Sequence, residues 1–309
     1  MPLTYAIVTA ARNEAAIIEQ ALRSVTAQTI APLRWVILDD GSTDETAAIV
    51  ERYAARHPWI ELVRQAPREG RSFAGKAAAV NAGFERLRPL APDVVVNLDA
   101  DVSFPSDYME RLLARFEADP RLGVAGTYFT EPDGYDSARD SFEGAEYVAG
   151  PCQLFRRTCF EEIGGYVAHR AGGVDWIAVM TARMRGWQVR AFDDARFHHH
   201  RKMGTAERGQ VAALFSYGQK DYYLGGSPIW QVFRVAYRAF KPPFLVGGLA
   251  LGAGYVWAAV RRVPRPVSKE LMRFHRADQM RKLRRTFHAL LRRGRLRPEL
   301  PASTGVASS

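Results

Sequence analysis

The stretch Trp35-Val36-Ile37-Leu38-Asp39-Asp40-Gly41-Ser42-Thr43-Asp44 runs four apolar residues straight into an acidic turn. Val94-Val95-Val96-Asn97-Leu98-Asp99-Ala100-Asp101 repeats the design further along the chain. A short apolar run closing on turn residues reads as a buried strand. In an open α/β sheet, ligands bind just beyond the carboxyl ends of the strands. Carboxylates placed there are costly unless they meet a cation or hydrogen-bond donors. An Asp-x-Asp pair offers hard oxygens to a divalent metal that keeps the rest of its shell for water and a ligand's phosphates. The two stretches together point to a metal-assisted nucleotide site.

Working outward, strands and helices alternate. Tyr5–Thr9 reads as a strand, and Ile17, Ile18, Ala21, Leu22 and Val25 follow at helical spacing after Asn13, a candidate N-cap. Ser42 or Thr43 can cap a helix whose apolar face includes Ile49, Val50, Tyr53 and Ala54. Ile60–Val63 and Val124–Tyr128 read as further strands. Ala77–Leu87 and the stripe Tyr108, Met109, Leu112, Leu113 and Phe116 read as helices. This alternation predicts a doubly wound, mostly parallel α/β sheet. Residues 131–146 break the pattern and are expected to loop over the site. Cys152–Phe155, a helix around Trp176–Arg185 and a strand near Val189–Phe192 complete a first unit, residues 1–205.

The net charge of +10 belongs to one end of the chain. Residues 261–309 carry 14 Lys and Arg against 3 Asp and Glu, which leaves 29 against 30 for the first 260 residues. The body therefore need not bind a polyanion, and nucleic acid is not an expected partner, although a nucleic-acid binder acting through the basic end is a further reading. A basic end attracts anionic lipid, although a solvated charge run has the same composition. Cys152 and Cys159 match no metal spacing or disulfide framework and are expected to be buried, reduced thiols of a cytosolic protein. Met1 to Thr9 reads as a strand rather than a leader.

Beyond Gly204 the character changes. In residues 206–243, Ile229, Val232, Phe233, Ala236, Tyr237 and Phe240 form an amphipathic stripe with Arg234, Arg238 and Lys241 beside it, the pattern of an interfacial helix or of one packed on the domain. Within residues 244–262, Phe244–Val260 is free of charge and ends on Arg261-Arg262. As a helix it approaches the shortest membrane span, and Gly247, Gly248, Gly252 and Gly254 are common in membrane helices. Membrane insertion, spanning or re-entrant, is expected here, with a buried or interfacial helix as the alternative. The positive-inside rule would leave the basic end, residues 263–309, in the cytoplasm. There Leu271, Phe274, Met280, Leu283, Phe287 and Leu290 add an intermittent apolar face.

With these residues in place, the chain resembles family 2 glycosyltransferases of the GT-A (Rossmann-like) fold over residues 4–205. Thr9-Ala10-Ala11-Arg12-Asn13-Glu14 resembles the opening nucleotide loop, with Ala10 where proline is frequent. Leu38-Asp39-Asp40-Gly41-Ser42-Thr43-Asp44 is similar to the signature that holds the nucleobase, Gly75–Gly83 to the helix start that follows it, and Asp99-Ala100-Asp101 to the metal motif. Gly172-Gly173-Val174-Asp175-Trp176 resembles the later acidic motif, with Val174 in place of the usual acidic neighbour. The resemblance implies that Glu14 and Asp40 contact the base and ribose. It implies that Asp99 supports ribose or metal, that Asp101 binds a divalent metal (Mn²⁺ or Mg²⁺) and that Asp175 is the catalytic base. Ala10, Arg12, Leu38, Lys76 and Ala100 would line the nucleotide-sugar pocket. Asp44 is expected to be structural.

The family often places a metal-coordinating histidine beyond the base motif. His198-His199-His200 follows a strand-like segment, so His198 and His200 share one face and His199 the other. His200 is the first expected ligand and His198 the second. Imidazole beside carboxylate suits Mn²⁺ better than Mg²⁺. Arg201 and Lys202 could clamp a diphosphate. Val174 and Trp176 could shield Asp175 and raise its proton affinity. The resemblance implies an inverting transfer from a nucleotide-diphospho-sugar, the interfacial segments suggest a lipid-linked or surface-polysaccharide acceptor at the cytoplasmic face of the membrane, and addition of one sugar is expected. The Gln-x-x-Arg-Trp motif of processive synthases is absent.

Two other readings use the same residues. A membrane-docked binding module could keep the fold without catalysis. Gly70–Ala77 also mimics a P-loop NTPase, but Ala77 lacks the hydroxyl that should ligate Mg²⁺.

Overall fold

The apolar runs of the central strands are buried on both faces between layers of helices, whereas the edge strand is half-exposed. A computed structural model describes residues 2–65, 73–140, 144–169, 172–201 and 209–295. Its strands are β1 (Tyr5–Ala11), β2 (Trp35–Asp39), β3 (Ile60–Arg64), β4 (Val94–Leu98), β5 (Val102–Ser103), β6 (Leu122–Thr130), β7 (Cys152–Arg156) and β8 (Gln188–His199). They form one sheet in the order β3-β2-β1-β4-β7-β6-β8-β5. β3, β2, β1 and β4 are parallel, as are β6 and β8, while β7 and β5 run against their neighbours. The sheet is thus mostly parallel, and its strand order reverses at β1–β4, the place where open α/β sheets bind ligands.

One face of the sheet is covered by α1 (Ile18–Thr26), α2 (Thr46–Ala54) and α4 (Tyr108–Ala118), through Ile18, Leu22, Val50, Tyr108 and Phe116. The other is covered by α3 (Phe73–Leu87), α6 (Arg157–Ile163) and α7 (Val174–Met184), through Val80, Phe84, Phe160, Ala178 and Ala182. The short α5 (Ser137–Asp140) lies in the expected loop. Trp35 is fully buried, and its indole N–H donates to Thr9 Oγ1 at 2.9 Å, so the one polar atom of a large core side chain is satisfied.

The sequence pattern did not show β5 or α6, and it showed only the first part of β8. β5 has only two residues, too few for a period to show. β8 continues well past Phe192 because the register slips between Thr127↔Phe192 and Tyr128↔Arg196. Asp193-Asp194-Ala195 bulge out, and the strand resumes toward the histidines, a break that a two-residue period cannot signal.

The last four helices are α8 (Gln210–Tyr223), α9 (Pro228–Ala239), α10 (Val246–Val260) and α11 (Lys269–Arg295). The charge-free run yields a 15-residue helix, about 22 Å long, against a hydrocarbon core of about 30 Å. Among the described residues no helix is long and apolar enough to cross a membrane. The glycines serve close packing instead. A Cβ at Gly254 would overlap the Phe215 carbonyl of α8, one at Gly248 the Val235 carbonyl of α9, and one at Gly218 of α8 the Leu251 carbonyl of α10. The basic end is also more than a tail. Leu271 of α11 packs with Trp176 and Ile177 of α7, and Asp278, 2% exposed, accepts hydrogen bonds from Arg183 of α7. Burial raises the Asp278 pKa, but Lys282 and Arg183 outweigh it and hold it at about 2. Pro301–Ser309 and the side chain of Leu290 lie outside the described residues.

Gly→Ala inside a helix ordinarily stabilises by up to about 1 kcal/mol. Gly218→Ala should instead destabilise by about 1–3 kcal/mol, because the added methyl meets backbone that cannot move alone. Urea denaturation would show the sign.

Candidate active site

The site assembles where β1, β2 and β4 end. The turn after β2 is built by its own polar side chains. Asp39 accepts the Ser42 N–H at 2.9 Å, while Asp44 takes the N–H of Thr46 at 3.0 Å and of Ala15 at 3.0 Å. Asp44, rather than Ser42 or Thr43, therefore satisfies the start of α2. Asn13 has a left-handed backbone (φ 53°) and does not cap α1. Its carboxamide oxygen accepts the Thr43 N–H at 2.8 Å and its own N–H donates to Ser42 Oγ at 3.0 Å. This stitches the turn after β1 to the turn after β2. Glu14 is held between them, its N–H on Thr46 Oγ1 at 2.8 Å.

Charges then close over the strand ends. Arg201 makes a two-pronged ion pair with Glu14, and its Nε lies 3.9 Å from Asp101 Oδ2. Lys76, the fourth residue of α3, contacts Asp99 Oδ1 at 2.5 Å. Burial pushes the Asp99 carboxyl up. Burial also works against the Lys76 ammonium, but the charge of Asp99 outweighs it and raises its pKa. Lys76 is thus a counterion for the acidic motif, which leaves the P-loop reading without its phosphate-binding lysine. Gly70, Arg71 and Ser72 lie outside the described residues, as do Lys202 and Gly204.

Of the three histidines, His199 is the one turned toward Asp101. Its Nε2 lies 3.5 Å from Asp101 Oδ1 and its Nδ1 3.6 Å from Glu131 Oε1. His198 and His200 share the opposite face, with rings 4.6 Å apart. They are engaged by Thr130 Oγ1 at 3.1 Å and Ser103 Oγ at 2.8 Å. The alternation expected from sequence holds, but β8 is phased so that the expected ligands point away from the metal motif. Burial disfavours the charge on Asp101, yet His199, Arg201 and Lys76 outweigh it and hold its pKa below the usual carboxylate range. Burial likewise opposes a charged His199, but Asp101, Asp99 and Glu131 raise its pKa. Glu131 is a site residue the sequence did not single out by itself; it lies in the acidic stretch expected to loop over the site.

Asp175 stands in the first turn of α7, after Gly173 in the left-handed region (φ 82°). Tyr147 donates its hydroxyl to Asp175 Oδ2 at 3.2 Å. Gly150 packs so closely that a Cβ there would strike the carboxylate. The Gly150 carbonyl accepts from Asn97 Nδ2 at 3.0 Å, and the Pro151 carbonyl accepts the Asp99 N–H at 2.8 Å. One short segment therefore ties the candidate base to the acidic motif. Val174 and Trp176 are buried in packing on either side. Asp40 and Arg12 sit half-buried at the rim, whereas the side chains of Leu38 and Ala100 are in the core. Leu38 can meet a ligand only through its backbone. Ala10 packs partly buried against the core. Cys152 and Cys159 are free and buried, their thiols pushed up to about 12 by burial.

Because its native pKa is raised, His199 contributes stability that is complete below its unfolded pKa of about 6.5 and fades as pH rises through the native value. In metal-free protein, the difference in thermal midpoint between wild type and His199→Gln should be largest in mild acid and shrink toward alkaline pH. A difference that grows with pH would contradict the pairing.

The sequence profile described as glycosyl transferase family 2 matches residues 6–173. The chain is 26% identical over 277 residues to glycosyltransferase AglE of Haloferax volcanii, covering 84% of this chain and 86% of the relative. It is 27% identical over 181 residues to beta-monoglucosyldiacylglycerol synthase of Synechocystis, covering 52% of this chain and 36% of that protein's length. Among solved structures, the mannosyltransferase PcManGT from Pyrobaculum calidifontis, in complex with GDP-Man and Mn²⁺, superposes with a TM-score of 0.56 at 23% identity, over 94% of this chain and 81% of that one. The motifs, the sheet order and the matched profile agree: the chain belongs to glycosyl transferase family 2 and has the GT-A type of fold.

Proposed function

We propose that the protein is an inverting glycosyltransferase that moves one sugar from a nucleotide-diphospho-sugar to a lipid-linked or surface-polysaccharide acceptor at the cytoplasmic face of a membrane. The observation that carries this reading is the segment Gly150-Pro151, which holds Asp175 beside the Asp99-Ala100-Asp101 turn. A carboxylate is thus held near a cluster whose Lys76 and Arg201 supply cations for a diphosphate. The glycolipid product named for the Synechocystis relative supports a lipid acceptor.

The residues present fit a divalent metal. Asp101 Oδ1 is buried without a hydrogen-bond partner, and the imidazole of His199 stands beside it. Among the described residues no group of three or more His, Cys, Asp or Glu is placed to hold a metal. Asp101 and His199 would therefore hold it as a pair, leaving the remaining positions to water and the donor's phosphates. When bound, a divalent cation would stabilise the charge that grows on the nucleoside diphosphate as it leaves.

Each remaining role falls to the chain's own residues. Glu14 and Asp40 would bind the nucleoside, which requires Arg201 to exchange Glu14 for a phosphate oxygen, the bidentate partner its guanidinium also suits. Lys76 holds Asp99 in place. Asp175 accepts the proton of the acceptor hydroxyl as that oxygen attacks the anomeric carbon from the face opposite the leaving group. A single displacement of this kind inverts the anomeric configuration.

Asp175→Asn keeps the shape but cannot take a proton, so transfer should fall by at least about 100-fold with donor affinity unchanged by titration calorimetry. Donor affinity falling in step with rate would make Asp175 a binding residue. Asp101→Ala should abolish metal-dependent donor binding and turnover while leaving the circular dichroism spectrum intact. Wild-type turnover in that variant would remove the metal role.

A further inference from the structure

Among the described residues, nothing covers one apolar face of the α9–α10 hairpin. Val235 and Ala239 of α9 meet Gly248 and Gly252 of α10, and Gln231 reaches the Leu251 carbonyl, so the two helices run antiparallel. At 100° per residue, Ile229, Val232, Ala236 and Phe240 form one stripe of α9, and Val246, Leu249, Ala253, Val256 and Val260 one stripe of α10. In an antiparallel pair with these contacts, both stripes turn to the same side. α8 packs on α10 from the opposite side, through Gly247, Leu251 and Gly254. The stripes are exposed to a degree rare for such side chains: Val232 is 71% exposed, Phe240 83% and Leu249 68%. Contiguous apolar surface of this kind marks an interaction site.

Charge identifies the partner. From Pro228 to Arg262 the chain holds five Lys or Arg and no Asp or Glu. Arg234 is used internally, paired with Asp221 of α8. At one end of the hairpin Lys241 sits 4.7 Å from the Tyr237 ring, and at the other Arg261 sits 5.8 Å from the Trp257 ring, with Arg262 exposed beside it. Aromatic rings paired with cations at both edges of an apolar face match the boundary between acyl chains and headgroups. A second copy docking on this face would bring like charges together with no acid in the hairpin to compensate. Neither helix is long enough to cross a bilayer.

We infer that the α9–α10 hairpin lies in the plane of a membrane, its apolar face among the acyl chains and Lys241, Arg261 and Arg262 on anionic phospholipid headgroups. This deepens the proposed function, resting on it for the membrane-borne acceptor, but the surface itself is argued from the hairpin alone.

Flotation with phosphatidylcholine vesicles, with and without phosphatidylglycerol, tests it on the full chain. Wild type should float with the anionic vesicles, and high salt should weaken this without abolishing it, since only the electrostatic part is screened. Leu249→Asp with Val256→Asp should lower partitioning at least about tenfold at an unchanged thermal midpoint, because both sites are exposed. Lys241→Glu with Arg261→Glu should remove the preference for phosphatidylglycerol. Donor hydrolysis without lipid should be unaffected in both, and Asp175→Asn should still float, so failure of the docking and failure of the catalytic assignment are separately visible. The inference is overturned if wild type fails to float, if the Asp variants float equally well, or if sedimentation shows a dimer that these substitutions dissociate in protein that does not bind vesicles.

Discussion

Desolvated carboxylates at the carboxyl ends of parallel strands set the terms for the rest of this structure. Asp99 and Asp101 are drawn in beside the end of β4, where neither could stay charged alone. Lys76 answers the first, and His199 with Arg201 answers the second. Each partner arrives from a different element, α3, β8 and the segment after β8. The acidic motif thereby fixes how these elements converge.

The same constraint organises the polar side chains around the strand ends. Arg201 spans Glu14 and Asp101, linking the turn after β1 to the acidic motif after β4. Charges held in place by such pairs cost little further reorganisation when a ligand arrives, which is the advantage of preorganised electrostatics, and Arg201 is the one group the proposed reading requires to change partner. Beneath it, Tyr166 donates to Gln153 Oε1 at 2.6 Å and Asn81 bonds both backbone groups of Tyr166. These satisfied polar groups hold the 148–153 segment, and with it the position of Asp175.

The C-terminal helices act on the site from behind. α11 grips α7, the helix that carries Asp175, through Leu271 packed near Trp176 and the Arg183–Asp278 pair. α8 and α10 pack backbone to backbone because glycine removes the side chains that would separate them. Close packing on one side of α10 leaves its other side exposed among the described residues.

The sequence by itself determined the main alternation of strands and helices, the acidic turns and the family. These rest on local patterns, apolar runs that must be buried and turn residues that must end them. It also placed Asp101 and Asp175 in their motifs. Only the tertiary structure decided which histidine faces Asp101, because the bulge at Asp193–Ala195 resets the phase of β8 and no local period records it. The role of Asn13 was likewise invisible: a cap and a brace between two turns use the same side-chain atoms. The glycines of α10 suit a membrane helix or a tight helix pair equally well in sequence. Only their neighbours, Phe215, Val235 and Gly218, distinguish the two, and those lie on other helices.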